Sequence, residues 1–349
     1  MIDLTQSNPT HAGFPYPLDV IRAFDDSSML SYEPSPRGSL AAREAVSAYY
    51  ANRGREVSPD RILLTASTSE GYSYLFKLLT DPGDAVLVPR PSYPLFEYLA
   101  AMESLKVEQY PLHYDNGWSI AIDEIPAGAR LLALVNPNNP TGSFVKGGEM
   151  ERLKTLGIPI VSDEVFSDYA FAPDSTRVST LVDFEDCLSF SMSGLSKVGG
   201  LPQMKLGWIV VNGPKDLQRD AMEKLEWIAD TYLSVGAPVQ CAASKLLVFA
   251  DQFQGLIRGR TVSNLRFAKE YLAGTSANIL DVEGGWYATI RMPHIRSEEE
   301  YAVDLLDHAG VLVQPGYFYD FESEAYLIVS LLAEEAQFRE GIARIRNLL

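Results

Sequence analysis

Two short stretches set reactive side chains at the ends of apolar runs. Lys197 closes Ser193-Gly194-Leu195-Ser196-Lys197, just after the strand-like run Cys187-Leu188-Ser189-Phe190-Ser191-Met192. An amine in that position attacks carbonyl carbon to form a Schiff base once it is desolvated or set beside another cation. Lys205, beyond Gly199-Gly200-Leu201-Pro202, is a candidate for that cation. Taken alone, a lysine is more often a solvated surface charge. The run Ile158-Pro159-Ile160-Val161-Ser162-Asp163-Glu164 ends in two carboxylates, at the strand end where open parallel sheets place their ligands. Asp163 there suits a protonated ring nitrogen, which a neighbouring carboxylate stabilises. The plainer alternative is a cap on a following helix, a role that falls more naturally to Glu164.

A third run, Leu131-Leu132-Ala133-Leu134-Val135, enters Asn136-Pro137-Asn138-Asn139-Pro140-Thr141-Gly142. Proline restricts the backbone on either side of Asn139, so its amide is presented in a fixed direction, suited to a phenolic oxygen on a bound ring. The same residues also make ordinary turn chemistry.

In their order and spacing, Asn-Pro-Asn-Asn-Pro-Thr-Gly, Ser-Asp-Glu-Val and Ser-Lys followed by Gly-Leu-Pro-Gln-Met-Lys-Leu-Gly resemble the hallmark sequences of the aspartate aminotransferase family, the class I/II, fold-type-I enzymes dependent on pyridoxal 5'-phosphate. The likeness covers most of the chain. It implies that Lys197 carries the cofactor as a Schiff base, that Asp163 holds its ring nitrogen, and that Asn139 meets its ring hydroxyl. It further implies a phosphate cup at Thr68 and Ser69, where Arg61-Ile62-Leu63-Leu64-Thr65 runs into Ala66-Ser67-Thr68-Ser69-Glu70-Gly71 and opens a helix. Tyr93 resembles the aromatic residue that stacks on the ring, and Tyr32 the tyrosine that a neighbouring subunit donates to the phosphate, which implies a homodimer. Lys205 stands where the family usually has arginine, keeping the charge without the planar fork.

Three departures qualify the resemblance. Phe166 replaces a tyrosine that commonly bonds the ring hydroxyl. Gly194 replaces a frequent serine, leaving Ser193 or Ser196 to reach the phosphate, with Ser193 preferred. In Tyr326-Leu327-Ile328-Val329-Ser330-Leu331, Ile328 stands at the position of the arginine that grips a substrate α-carboxylate. Isoleucine cannot replace a bidentate clamp. Either another cation, Arg37 or Arg291, binds the carboxylate, or the substrate lacks one. The implied activity is transfer of an amino group from an amino acid or amine to a keto acid. A lyase or decarboxylase on the same fold is the alternative, and a non-catalytic regulator a remote one.

These residues need a scaffold, and the hydrophobic pattern supplies it. Strands and helices alternate from about residue 39 to 211, with further strands at 85–88, 107–110 and 206–211 and helices near 39–52 and 149–156. The expected fold is α/β: a mostly parallel seven-stranded sheet sandwiched by helices over residues 31–255, plus a smaller α+β domain from residues 1–30 and 256–349 that includes an N-terminal arm. A helix near 256–272 would join the two.

A net charge of -17 and a pI near 4.7 argue against nucleic acid or anionic membrane as partners. No basic tail, signal-peptide pattern or membrane-length apolar run is evident, so a cytoplasmic enzyme is expected. Cys187 and Cys241 read as reduced core residues, with no metal site expected.

Overall fold

The computed structural model describes residues 1–323 and 325–349. The N-terminal arm begins with β1 (Ile2–Asp3). The main sheet is built from β2 (Ile62–Thr65), β3 (Ala85–Arg90), β4 (Lys106–Tyr114), β5 (Trp118–Ile120), β6 (Leu131–Val135), β7 (Ile160–Asp163), β8 (Ser189–Gly194) and β9 (Gly207–Asn212). Its order is β2-β9-β8-β7-β6-β3-β4-β5. From β8 through β7, β6 and β3 to β4 the neighbours run parallel, while β9 is antiparallel to both β2 and β8.

The central strands β6, β7 and β8 are buried along their whole length, the expected state of parallel strands covered on both faces. One apolar layer gathers Leu63, Tyr72, Phe76, Phe96, Val161, Phe190, Met192 and Ile209. The other face is covered by two layers, one around Tyr49, Leu64 and Trp208 and one around Leu132, Leu134 and Ile160.

The sheet has eight strands rather than the expected seven. The added strand, β5, is three residues long and pairs antiparallel with β4. Its alternation is too short to carry a periodic signal.

The second sheet holds β10 (Asn278–Ile279), β11 (Tyr287–Arg291), β13 (Gln314–Pro315) and β14 (Tyr326–Ser330), all antiparallel, while β12 (Val311–Leu312) pairs in parallel with β1. A helix over Ala237–Leu272 connects the two sheets. It begins nineteen residues earlier than the stretch read from sequence as a bridge. Its first half packs with the helix Leu40–Ala51, and its second half with β11 and β14.

The arm ties both sheets to the loop after β8. Leu4 accepts from the Ser330 amide at 2.6 Å, and the Tyr16 hydroxyl donates to the Gly200 carbonyl at 2.6 Å. Val20 and Ala23, by contrast, pack in the layer around Trp208.

Candidate active site

Lys197, Asp163 and Asn139 all lie at or just past the C-terminal ends of buried strands. Lys197 follows β8 on one helical turn, Leu195–Val198, whose geometry is held by the Leu195 amide donating to the Leu206 carbonyl at 2.8 Å. The Tyr169 hydroxyl donates to the Lys197 carbonyl at 2.6 Å. The amine stands 5.9 Å from the ring centroid of Phe166 and 5.7 Å from that of Trp286. Burial pushes its ammonium below the ordinary lysine range, and the Asp163 carboxylate opposes that shift. Desolvation of this kind favours the neutral amine, the form that acts as nucleophile and proton carrier.

Asp163 is the last residue of β7 and is buried. Its Oδ1 accepts from the Val165 amide at 3.2 Å. Burial lifts its pKa to about 6, against the opposing pull of the Val165 bond and of Lys197. A cationic group placed against it would bring the carboxylate back to its charged form, the behaviour required of a partner for a protonated ring nitrogen.

Glu164 is not a helix cap. It is buried and turns away from the end of the strand, accepting from the Thr180 hydroxyl at 2.6 Å, the Leu181 amide at 2.9 Å and the Ser191 hydroxyl at 3.2 Å. Burial pushes its pKa up to about 7. Side chains alternate along a strand and its extension, so Asp163 and Glu164 face opposite sides.

Neighbouring asparagines have different environments. Asn138 is satisfied by the Pro91 carbonyl and by Thr141 and Ser92. The Asn139 amide oxygen is buried with no partner among the described residues. Such an orphan calls for a bonding group from outside the protein, and the amide can turn to present oxygen or nitrogen.

The turn carrying Asn139 is clamped to the second sheet. The amides of Glu283 and Gly284 donate to the Gly142 carbonyl at 3.2 and 3.0 Å. Gly142 has φ +70, and a Cβ there would stand 2.5 Å from the Gly284 carbonyl oxygen.

Thr68 and Ser69 open the helix Thr68–Leu79, capped by Ser67, whose hydroxyl accepts from the Glu70 amide. The first-turn amides of such a helix have no acceptor within it and suit an anion. Gly207 faces this corner. A Cβ on it would stand 2.9 Å from Thr65 Oγ1 and 3.2 Å from the Ser67 carbonyl carbon, so only glycine lets β9 approach so closely.

The half-buried Tyr93 ring meets Phe96 edge-on at 6.3 Å. Burial, with Asp163 nearby, pushes its pKa up to about 12. Phe166, Trp286, Tyr287 and Ile328 form an apolar wall, with Phe166 meeting Trp286 at 5.2 Å. Ile328 is fully buried in it and offers no charge.

Some expected site residues lie elsewhere. Ser193 is on the opposite face of the sheet from Asp163: it is paired in register with Trp208 and lines a cavity of about 590 Å³ with Tyr49, Tyr50, Arg53 and Glu164. Its hydroxyl is buried without a partner there. The expected phosphate contact through Ser193 is therefore corrected, because strand alternation turns its side chain away from the face that carries Asp163. Gly194 has no room for a side chain either, since a Cβ would stand 2.9 Å from the Leu206 carbonyl oxygen.

Arg37 is engaged by Glu226, its Nε donating at 2.7 Å. Arg291 is exposed on the last residue of β11. Lys205, by contrast, comes two residues before Gly207, which packs against Thr65 and Ser67, and is exposed in left-handed backbone at φ 51. Tyr32 is 79% exposed, beside a cavity of about 480 Å³ lined also by Tyr74, Leu233 and Ser234.

The structure also adds residues that the motifs did not name. Tyr72, one helical turn after Thr68, has a buried hydroxyl without a partner. Trp286 and Tyr287 join the wall from the start of β11. The glycine pair Gly284-Gly285 before two aromatics was the available sequence signal for them.

Comparison with known proteins follows the same lines. A family model described as aminotransferase class I and II matches residues 1–345. The chain is 25% identical over 370 residues to glutamate-pyruvate aminotransferase AlaA of Haemophilus influenzae, covering 100% of this chain and 90% of that one. It is 26% identical over 374 residues to tyrosine aminotransferase of Homo sapiens, covering 99% and 80%. Among solved structures, an alanine aminotransferase from Pyrococcus furiosus superposes with a TM-score of 0.89 at 22% identity, covering 99% of this chain and 91% of that one. That likeness speaks for the fold, an aminotransferase fold of type I.

Proposed function

This chain belongs to the class I and II aminotransferases, and from that premise we propose how its own residues carry out pyridoxal-phosphate-dependent transamination. When bound, the cofactor supplies an aldehyde carbon for covalent attachment of an amine and a ring that takes up electrons when a substrate bond breaks. Lys197 would hold the cofactor covalently through Nζ, and the same amine, when free, would take a proton from the substrate carbon as a base and deliver it as an acid to the cofactor carbon, the shift that transamination requires. Asp163 holds the ring nitrogen protonated. Asn139 meets the ring hydroxyl, Tyr93 covers one face of the ring, and Thr68 and Ser69 hold the phosphate with Lys205 and, from a second subunit, Tyr32. Phe166, Trp286 and Ile328 exclude water from the reacting amine.

The observation that carries this reading is the buried Lys197 amine set against the Asp163 carboxylate at adjacent strand ends. The unpartnered Asn139 amide oxygen and the open helix start at Thr68 fit a group with a ring hydroxyl and a phosphate.

The division into residues 31–255 and residues 1–30 with 256–349 is part of the proposal, with the helix Ala237–Leu272 as the connection. A homodimer is also proposed. Its support is the exposure of Leu30, at 87%, and of Tyr32, which lines the cavity with Tyr74 and Leu233. Light scattering should then give twice 38.6 kDa.

The substrates are an amino donor and a keto acceptor. The apolar side chain at 328 supports a donor whose reactive carbon is not anchored by an arginine-bound carboxylate. The test is incubation with single amino acids and simple amines, with and without a keto acid. A transaminase converts one equivalent of donor and stops until acceptor is added. Repeated turnover with release of ammonia and no acceptor would instead establish the lyase reading.

A further inference from the structure

Tyr72 is not used by the chemistry described so far, yet it is among the largest fully buried side chains. Its ring is fixed edge-on to Phe96 at 5.3 Å and 84°. Its hydroxyl has no hydrogen-bond partner among the described residues. A buried hydroxyl left so costs on the order of 1–3 kcal/mol, so such groups ordinarily have an acceptor.

Its position singles out one. The helix Thr68–Leu79 lies directly on the floor of the site, so close that a Cβ on Gly71 would stand 2.8 Å from Met192 Sδ. Met192 is the register partner of Asp163. Tyr72 and Met192 belong to the same apolar layer as Val161, which shares its sheet face with Asp163. Among the described residues the Asp163 carboxylate accepts from the Val165 amide, at Oδ1.

We propose that Tyr72 is a positioning residue whose hydroxyl donates, through one bridging water, to the Asp163 carboxylate and so keeps that carboxylate ionised and aimed at the ring nitrogen. This rests on the proposed role of Asp163. The charged and titratable groups facing the pair are Lys197 beyond Asp163, and Tyr93 and Tyr110 around Tyr72. Burial, and after it the Asp163 charge, pushes the Tyr72 hydroxyl well above the ordinary tyrosine range. It therefore stays protonated and acts toward the carboxylate as a donor. A hydrogen bond to the charged form of a carboxyl lowers its pKa.

The experiment uses the full chain freed of cofactor, with the aspartate carboxyl carbons labelled with carbon-13. Its signals are followed against pH by NMR, and that of Asp163 is assigned with Asp163→Asn. In Tyr72→Phe, which keeps the ring and its packing, the Asp163 signal should titrate about one pH unit higher. Binding of pyridoxal phosphate at pH 7, read by absorbance titration, should weaken about fivefold or more, and Tyr72→Phe should add nothing further in the Asp163→Asn background. An unmoved Asp163 titration, or an equal loss of affinity in the Asp163→Asn background, overturns the proposal. Failure of the wild-type chain to bind pyridoxal phosphate would instead overturn the proposed function. The carboxyl titration needs no cofactor and still decides the role of Tyr72.

Discussion

Asp163→Asn should make the cofactor-free protein more stable while disabling it. Burial raises the pKa of Asp163 from 3.8 to about 6. Each pH unit of such a rise corresponds to about 1.4 kcal/mol, so holding the ionised carboxylate costs the folded chain roughly 3 kcal/mol at pH 7. The folded pKa lies above the unfolded one, so the wild type keeps its full stability from this group below pH 3.8 and loses it as pH rises through about 6. Asparagine keeps the shape and the acceptor for the Val165 amide but carries no charge. It also leaves Lys197 without its partner, which returns part of the gain. The net expectation is about 1–3 kcal/mol of added stability at pH 7 and almost none near pH 4. Glu164, pushed up to about 7, adds the same pH dependence to both proteins and cancels in the difference. The assay is urea unfolding of the cofactor-free proteins at several pH values between 4 and 7.5, alongside turnover of the reconstituted ones. Turnover should fall on the order of a hundredfold or more. A variant no more stable than wild type at pH 7, or an offset that stays constant with pH, would refute the reasoning.

Gly142→Ala should destabilise the protein by about 2–4 kcal/mol, from left-handed backbone and a Cβ 2.5 Å from the Gly284 carbonyl oxygen, read as a lower urea midpoint. Because that turn carries Asn139, cofactor affinity should fall with it. Ser193→Ala should leave cofactor affinity within about twofold, because its hydroxyl lines the cavity on the opposite face; a tenfold loss in an absorbance titration would contradict this. Arg37→Ala should leave the KM for an amino acid donor nearly unchanged, since Glu226 already engages the guanidinium. A rise in KM with unchanged kcat would return Arg37 to the substrate site.

The placing of Lys197, Asp163 and Asn139 at strand ends was legible because each closes or follows a run of apolar residues long enough to be a buried strand, and a parallel sheet gathers such strand ends on one edge. Which face a side chain takes was harder to read. Ser193 misled because a shift of one residue along a strand reverses the face, and an Ser-Gly-Leu-Ser-Lys run does not state where the strand ends. Glu164 misled for the same reason: its acceptor role depends on Thr180 and Ser191, which only the fold brings to it. The engagement of Arg37 by Glu226 joins residues 189 positions apart and leaves no local pattern. Tyr72 reads in sequence as one more apolar position on an amphipathic helix. Only the absence of a partner for its hydroxyl distinguishes it.

The central claim is that the cofactor is joined to Lys197. Reduction of the pyridoxal-phosphate-loaded protein with borohydride, followed by digestion and mass spectrometry, tests it most directly. A phosphopyridoxyl group is expected on the peptide containing Lys197 and none in Lys197→Ala. Label on another lysine, such as Lys205, with Lys197 unmodified, would contradict it.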